Sequence, residues 1–196
     1  MQILIDSMIN ASWIMPVATG FALIYCCTRV FHFAHGVVFT AGAYFMFSLK
    51  HWIGLPLPLA AFLAIVFGSV LGCGMDICIF RPLRRKQASS LVGMLASLGV
   101  YIVLQNTISM VFGEDTKTVR TEVVKEGLAV AGARITSVQI VTILLSVSVV
   151  SATAIWLRTT RMGMLIRAIA NDPELARVYG VQNDRAILCA FAIGSA

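Results

Sequence analysis

The chain has 196 residues, of which 59% are hydrophobic and only 12% are charged, and its formal net charge is +6 at pH 7. Soluble globular domains have about 25% charged residues, so the composition excludes an ordinary soluble domain. The lysines and arginines lie between apolar runs, which is typical of membrane topology and does not favour a nucleic-acid surface. We therefore interpret the chain as an integral membrane protein whose partners include the lipid bilayer and no nucleic acid.

Six apolar runs in chain order predict an all-α, polytopic bundle of transmembrane helices. The runs cover residues 8–27, 30–49, 53–75, 91–113, 135–157 and 186–196. Since a membrane span needs about 20 apolar residues, the last run is too short to cross. We therefore expect the transmembrane domain formed by 1–196 to continue beyond its C-terminal end. The second run begins with polar residues, so a re-entrant or broken helix is an alternative there.

The basic residues predict an orientation. If the loops 81–86 and 158–185 are cytoplasmic, alternate crossing places Arg29 inside as well, with ten lysines and arginines inside and five outside. The reverse orientation breaks the positive-inside rule. We therefore expect the N-terminus and the polar segment 114–134 to lie on the exterior side.

Small residues within the apolar runs favour close packing of helices. Gly68 and Gly72 form a GxxxG pair, which lets two helix backbones approach each other closely. Gly93 and Ser97 repeat the spacing. Such pairs occur often by chance in apolar helices, so they favour a bundle and carry no information about function.

The segment NDPELARVYG contains the sharpest local signal for structure. Asp172 is a strong N-cap residue, Pro173 suits the first helical position, and Glu174 places a negative charge at the positive end of a helix. Gly180 then supplies a C-terminal stop. Together these residues predict a helix of about two turns over 173–179.

This short helix would carry Leu175, Val178 and Tyr179 on one side, at the i, i+3, i+4 spacing of an apolar stripe. A helix of this length is marginal in water and needs a surface to pack against. The spacing is compatible with two interpretations. The helix either lies on the bilayer surface or its own bundle, or docks into a partner protein.

Polar residues inside the apolar runs are candidates for function, because they are costly at membrane depth. Gln105 and Asn106 either line a translocation pathway or form hydrogen bonds with a neighbouring helix. Asp76 and Arg81 lie five residues apart at the cytoplasmic end of the third run. We expect these two to form a structural ion pair and not a proton relay.

No catalytic or metal site is predicted. The phosphate-binding pattern GxxxxGK[ST] is absent, so the chain is not an ATPase. All three histidines lie within 32–51, so no Ser/His/Asp or Cys/His arrangement can be assembled. His32 and His35 share a helix face but lack further ligands, and the five cysteines lack the spacing of a zinc site.

Four stretches of sequence together resemble one family of membrane proteins. They are FAHG at 33–36, Asp76 followed by RPLR at 81–84, SLG at 97–99 with LQN at 104–106, and RMG at 161–163 leading through Arg167 to Ala176 and Gly180. In this order they resemble the permease subunits of branched-chain amino acid ABC importers. The resemblance implies a multi-pass subunit of the bacterial inner membrane without a cofactor of its own. It also implies three partners: ABC ATPase subunits that bind ATP and Mg²⁺, a sister permease subunit, and a periplasmic substrate-binding protein.

The resemblance assigns roles to residues of the loop 158–185. Glu174, Ala176 and Gly180 match the E-x-A-x-x-x-G core of the coupling motif, in which a short helix inserts into a groove of the ATPase. Leu175 replaces the commoner alanine, a mild departure. Asp172 belongs to the same coupling segment, and Arg167 and Arg177 either contact acidic groups on the ATPase or only anchor the loop in the cytoplasm.

The resemblance also assigns His35 to the translocation pathway, or to fixing a helix break beside Gly36. His32 departs from the family, which more often has asparagine there. The implied substrates are branched-chain or related apolar amino acids, with urea and short amides as the alternative. A self-sufficient channel or secondary transporter would need intramembrane charge that the sequence lacks, and a structural assembly subunit would have no effect on uptake.

Overall fold

The structure, a computed structural model, describes residues 2–113, 128–130, 133–179 and 183–196. Its α-helices are α1 (Gln2–Thr28), α2 (Ala34–His51), α3 (Leu57–Met75), α4 (Arg81–Arg85), α5 (Ser90–Phe112), α6 (Ser137–Thr159), α7 (Arg161–Asn171), α8 (Pro173–Val178) and α9 (Asn183–Gly194). A π-helix, Asp76–Phe80, joins α3 directly to α4, and two three-residue strands, β1 (Leu128–Val130) and β2 (Ala133–Ile135), pair antiparallel. The predicted all-α class is confirmed, since these strands are the sole non-helical elements in the described residues.

Four helices are long and apolar enough to cross a membrane. They are Asp6–Thr28, Leu57–Arg85, Ser90–Phe112 and Val138–Thr159. Each coincides with one of the predicted runs, so the chain is a multi-pass membrane protein. The helix Leu57–Arg85 reaches further than the predicted run 53–75 because the π-helix and α4 extend α3 to Arg85.

The second apolar run forms α2, which is continuous from Ala34 to His51. Its 18 residues extend about 27 Å, slightly less than the roughly 30 Å of a hydrocarbon core. The helix break expected beside Gly36 is absent, because Gly36 lies within α2; the irregular residues are 29–33, before the helix begins. Within this irregular segment Arg29 has a φ of 54°, an uncommon conformation for a residue other than glycine.

Helix α9 lies in a groove between α1 and α3, where glycines allow backbone contact. A Cβ atom added at Gly20 would clash with the carbonyl oxygen of Gly194, and one added at Gly68 would clash with that of Ser195, which follows α9 directly. At Gly72 it would clash with the Ser195 side chain. The predicted close approach at Gly68 and Gly72 is therefore confirmed, and the helix that approaches is α9.

Helix α7 lies within the loop 158–185, where the sequence analysis predicted only the shorter helix. Thr160 turns the chain after α6, and its hydroxyl oxygen accepts a hydrogen bond from the backbone N–H of Gly163 at 3.0 Å. The helix buries Ile166 and Ile169 and exposes Arg167. It is therefore an amphipathic helix whose apolar face joins the core, and it carries α8 at its end.

Candidate functional site

Helix α8 forms at the predicted place. Both the Glu174 and the Leu175 backbone N–H groups donate to the Asp172 Oδ1 atom, each at 3.0 Å. This cap satisfies two amide groups that have no partner within the helix. The helix covers Pro173–Val178 against the predicted 173–179, and the predicted stop at Gly180 lies outside the described residues.

The two sides of α8 differ in burial. Ala176 is buried against the bundle, and α7 and α9 are the helices in contact with α8. On the opposite side, Leu175, Val178 and Tyr179 are 53%, 81% and 80% exposed. Glu174 is exposed as well. The predicted apolar stripe is therefore not covered by this chain's own described helices, which leaves the bilayer surface or a partner protein to cover it.

Two hydrogen bonds from distant residues hold the end of α7 and the beginning of α8. The Asn183 side-chain amide donates to the Pro173 carbonyl oxygen at 3.4 Å, which ties the beginning of α9 to the beginning of α8. The Arg29 guanidinium donates to the Ala170 carbonyl oxygen at the end of α7. The Arg29 carbonyl oxygen in turn accepts from the Ser90 hydroxyl at 3.0 Å. Arg29 thus connects α1, α5 and α7, a role that no local sequence signal indicates.

The predicted ion pair between Asp76 and Arg81 is wrong. Asp76 is paired with Arg84, whose Nη1 atom lies 2.6 Å from Oδ1, and Arg81 is paired with Asp184, at 3.0 Å between Nε and Oδ2. The physical reason is the π-helix Asp76–Phe80. Its i→i+5 hydrogen bonds add a residue to the turn, so two turns take about eight residues and bring position 84 over position 76.

A buried polar centre lies where α2, α5 and α9 meet. The Ser97 hydroxyl accepts from the Ala34 backbone N–H at 3.0 Å and lies 3.3 Å from His32 Nδ1, to which it can donate its own proton. The His32 ring packs edge-on against Phe80 and Phe191, with centroid distances of 5.0 and 5.3 Å. His32, which departs from the family pattern, is therefore a packing centre between helices.

His35 lies in the first turn of α2 and lines a cavity. Its Nε2 atom is 3.0 Å from the Val17 carbonyl oxygen, so the tautomer with a proton on Nε2 donates a hydrogen bond that ties α2 to α1. The cavity has a volume of about 480 Å³ and is also lined by Gly20, Gly68 and Ser195. It is mostly apolar, which suits a hydrophobic solute better than a charged one.

Gln105 and Asn106 do not lie beside His35. Asn106 is exposed and its amide donates to the Ile102 carbonyl oxygen of its own helix at 2.7 Å, while Gln105 is half-buried. Neither residue lines the cavity next to His35. That these amides line a translocation pathway stays a prediction. Within the described part of the chain, no group of three His, Cys, Asp or Glu side chains is placed to hold a metal ion.

The structure is thus that of a multi-pass helical membrane protein with a capped helix, α8, whose apolar side is exposed after the span α6. The chain belongs to the family described as branched-chain amino acid transport system, permease component, whose sequence model matches residues 3–196. This result confirms the family that the four sequence motifs indicated.

Similar proteins include two high-affinity branched-chain amino acid transport system permeases. LivH of Escherichia coli strain K12 is 30% identical over 194 residues, which cover 92% of this chain and 62% of LivH. BraD of Pseudomonas aeruginosa is 26% identical over 208 residues, which cover all of this chain and 67% of BraD. The chain thus spans about three fifths of the length of LivH. No solved structure is significantly similar to the chain.

Proposed function

We propose that this chain forms part of the transmembrane permease subunit of an ATP-driven ABC importer for branched-chain or related apolar amino acids. The exposed apolar face of α8 is the observation that carries the ATP-driven part of the proposal. Leu175, Val178 and Tyr179 point away from the bundle, next to the exposed carboxylate of Glu174. A face of this kind fits a groove on a partner, as in other helix-in-groove complexes.

The free energy of docking comes from burial of these side chains. Fully burying a large apolar side chain is favourable by about 1.5–3 kcal/mol, so three of them supply a strong anchor for a small helix. The Asp172 cap and the contact of Ala176 with the bundle hold α8 in shape before it docks. Less conformational entropy is then lost on binding.

The proposal includes three kinds of partner. Two ATPase subunits bind ATP and Mg²⁺ in the cytoplasm, and one of them receives α8. A sister permease subunit completes the pathway, and a periplasmic binding protein delivers the solute on the side of the predicted exterior segment 114–134. The importer lies in the bacterial inner membrane, with the N-terminus of this chain outside. Membership of the permease family supports this set of partners.

ATP-driven closure of the ATPase subunits moves α8 and, through the helices packed on it, changes the access to the pathway. Helix α8 contacts α7 and α9, and α9 lies against α1 and α3 through backbone-to-backbone contacts. Close-packed interfaces of this kind transmit rigid displacements. The cavity beside His35 lies at the end of α9, where such a displacement changes its walls.

Uptake of labelled leucine by intact, energised cells tests the proposal. Strains carry the full-length gene, a deletion, or Glu174→Arg. Lys86→Glu is the matched control because it also reverses a charge, by the same amount in the opposite direction, at an exposed residue outside α8. We expect uptake to be lost in the deletion and in Glu174→Arg, and kept in Lys86→Glu. Unchanged uptake in the deletion would contradict the leucine assignment. Labelled urea is then the next solute, and its loss in the deletion would make the chain a urea or amide permease.

A further inference from the structure

A cluster of charged side chains joins the beginning of α9 to α4. The Asp184 carboxylate lies 3.0 Å from Arg81 Nε, 3.7 Å from Arg84 Nη2 and 3.8 Å from Arg85 Nη2. The three arginines belong to one short helix, whereas Asp184 is the second residue of α9. A negative charge there also interacts favourably with the helix N-terminus. A single carboxylate therefore fixes where α9 begins relative to α4.

Arg84 extends this cluster into the bundle. Its Nη1 atom lies 2.6 Å from the carboxylate of Asp76, which is fully buried at the first position of the π-helix. The two atoms Nη1 and Nη2 of one guanidinium thus face two carboxylates, Asp76 inside and Asp184 outside. The planar guanidinium suits this shared arrangement, because its donors have a fixed geometry.

The π-helix connects these charges to the aromatic residues of the core. Phe80 is its last residue, and the Phe80 ring lies 5.0 Å from the His32 ring and 5.5 Å from the Phe191 ring, centroid to centroid. π-helices are rare and are found often at functional sites. One contiguous path therefore leads from Asp184 through Arg84 and Asp76 to the aromatic residues that pack around His32.

The same end of α9 is attached to α8. Asn183 donates to the Pro173 carbonyl oxygen at 3.4 Å, and Ala176 of α8 is buried at the interface. Asn183 contacts α8, and the adjacent residue Asp184 contacts the arginines of α4. A displacement of α8 therefore reaches α4 and the π-helix through two neighbouring residues.

We propose that Asp184 is a positioning residue for transport, which links movement of α8 to the π-helix in the span Leu57–Arg85. The proposal rests on the proposed function, since it assumes that an ATPase moves α8. The side chains of Arg81 and Asp184 are 37% and 36% exposed, and ion pairs at such exposure contribute little to stability. This ion pair therefore positions α9 relative to α4 and adds little to the free energy of unfolding. The buried Asp76–Arg84 pair differs, because loss of one partner there is strongly destabilising.

The test compares ATP hydrolysis with solute uptake in the complete transporter. The full-length product of the gene encoding this chain is purified with its ATPase and permease partners and reconstituted in vesicles of Escherichia coli lipid with the binding protein and labelled leucine. The variants are Asp184→Asn, which removes the charge at constant shape, and Asp184→Glu, which keeps it. Arg185→Gln is the matched control, since the neighbouring Arg185 is exposed and makes no hydrogen bond or ion pair with the described residues.

For Asp184→Asn we expect uptake to fall at least about fivefold while ATP hydrolysis changes less than twofold, so more ATP is consumed per leucine. Asp184→Glu recovers at least half of the uptake, and Arg185→Gln behaves as the wild type. A fall of uptake and hydrolysis by the same factor would show a merely structural role and overturn the proposal, as would normal coupling in Asp184→Asn. Absence of ATP-dependent uptake in the wild-type vesicles, with leucine and with urea, would instead contradict the proposed function.

Discussion

The guanidinium of Arg84 lies 2.6 Å from the carboxylate of Asp76, eight residues earlier in the chain. This pair spans the junction between the π-helix and α4, and the Asp76 side chain is completely buried. A buried carboxylate is tolerated when a partner neutralises it, whereas removal of the partner leaves a charge in a low-dielectric surrounding. The stability of this region therefore depends on the presence of both charges.

We predict that Arg84→Gln lowers the stability of the protein much more than the double variant Asp76→Asn, Arg84→Gln. The single change leaves Asp76 buried without a cation, at a cost of about 3–5 kcal/mol, while removing both charges avoids most of that cost. Thermal unfolding of the purified full-length protein in detergent measures both. Equal losses of stability in the single and the double variant would contradict the pairing.

A second prediction concerns the glycines of α3. Gly68→Ala places a Cβ atom in a clash with the Ser195 carbonyl oxygen, so α3 and the backbone at the end of α9 must separate. We expect a loss of about 1–3 kcal/mol, the usual cost of overpacking. Gly74→Ala is the matched control on the same helix, because a Cβ atom there meets nothing within 4 Å.

Gly74→Ala should leave the free energy of unfolding unchanged or raise it by up to about 1 kcal/mol, because alanine favours the helical conformation more than glycine does. Detergent melting curves of both variants provide the comparison. Equal stability of the Gly68→Ala and Gly74→Ala variants would contradict the close contact between α3 and the end of α9.

A third prediction separates the cap of α8 from its charge. Asp172→Ala removes the acceptor for the Glu174 and Leu175 amides and should cost about 1 kcal/mol of local helix stability. Asp172→Asn keeps an equally good cap without the charge. Hydrogen exchange of the backbone amides of residues 174–178 should accelerate about fivefold in Asp172→Ala and change little in Asp172→Asn.

If the shape of α8 matters for docking, leucine uptake should fall in Asp172→Ala, whose amides exchange faster, and stay near normal in Asp172→Asn. Low uptake in Asp172→Asn with normal amide protection would show that the carboxylate itself contacts the partner, and would refute a role limited to capping.

A fourth prediction concerns the exposed face of α8. Leu175→Ala and Val178→Ala should leave stability within about 0.5 kcal/mol, because substitutions at exposed positions have small effects. Each should weaken binding of the ATPase subunit by about tenfold, which corresponds to about 1.4 kcal/mol of lost apolar burial. Affinity measurements with the purified ATPase provide the test.

Leu95→Ala is the matched control for this face. Leu95 is 56% exposed on α5, close to the 53% of Leu175, but it lies on a spanning helix away from α8. Its replacement should leave ATPase binding unchanged. A loss of affinity in Leu95→Ala equal to that in Leu175→Ala would indicate an indirect effect and would speak against docking through α8.

Local features of the chain were predicted where the deciding atoms lie close in sequence. The Asp172 cap, the beginning of α8 at Pro173 and the apolar stripe around Leu175 depend on residues within two turns of each other. Helix α7 was not predicted, although it has the same kind of local signals: a Thr160 cap and the apolar positions Ile166 and Ile169 at helical spacing.

The partners of the charged residues were not predictable in the same way. Arg81 and Asp184 are 103 residues apart, and Arg29 and Ala170 are 141 apart. Sequence proximity favoured Asp76 with Arg81, but the π-helix changed the register and α9 supplied a nearer carboxylate to Arg81.

Residues close together in the chain suffice to predict a helical, multi-pass membrane protein with a capped helix after its basic loop begins, because apolar length, basic loops and caps act over a few helical turns. Tertiary packing alone places α9 in the glycine-lined groove of α1 and α3, His35 beside a cavity, and Asp184 against Arg81 and Arg84. These contacts join residues far apart in the chain, and they form only when whole helix surfaces have packed against each other.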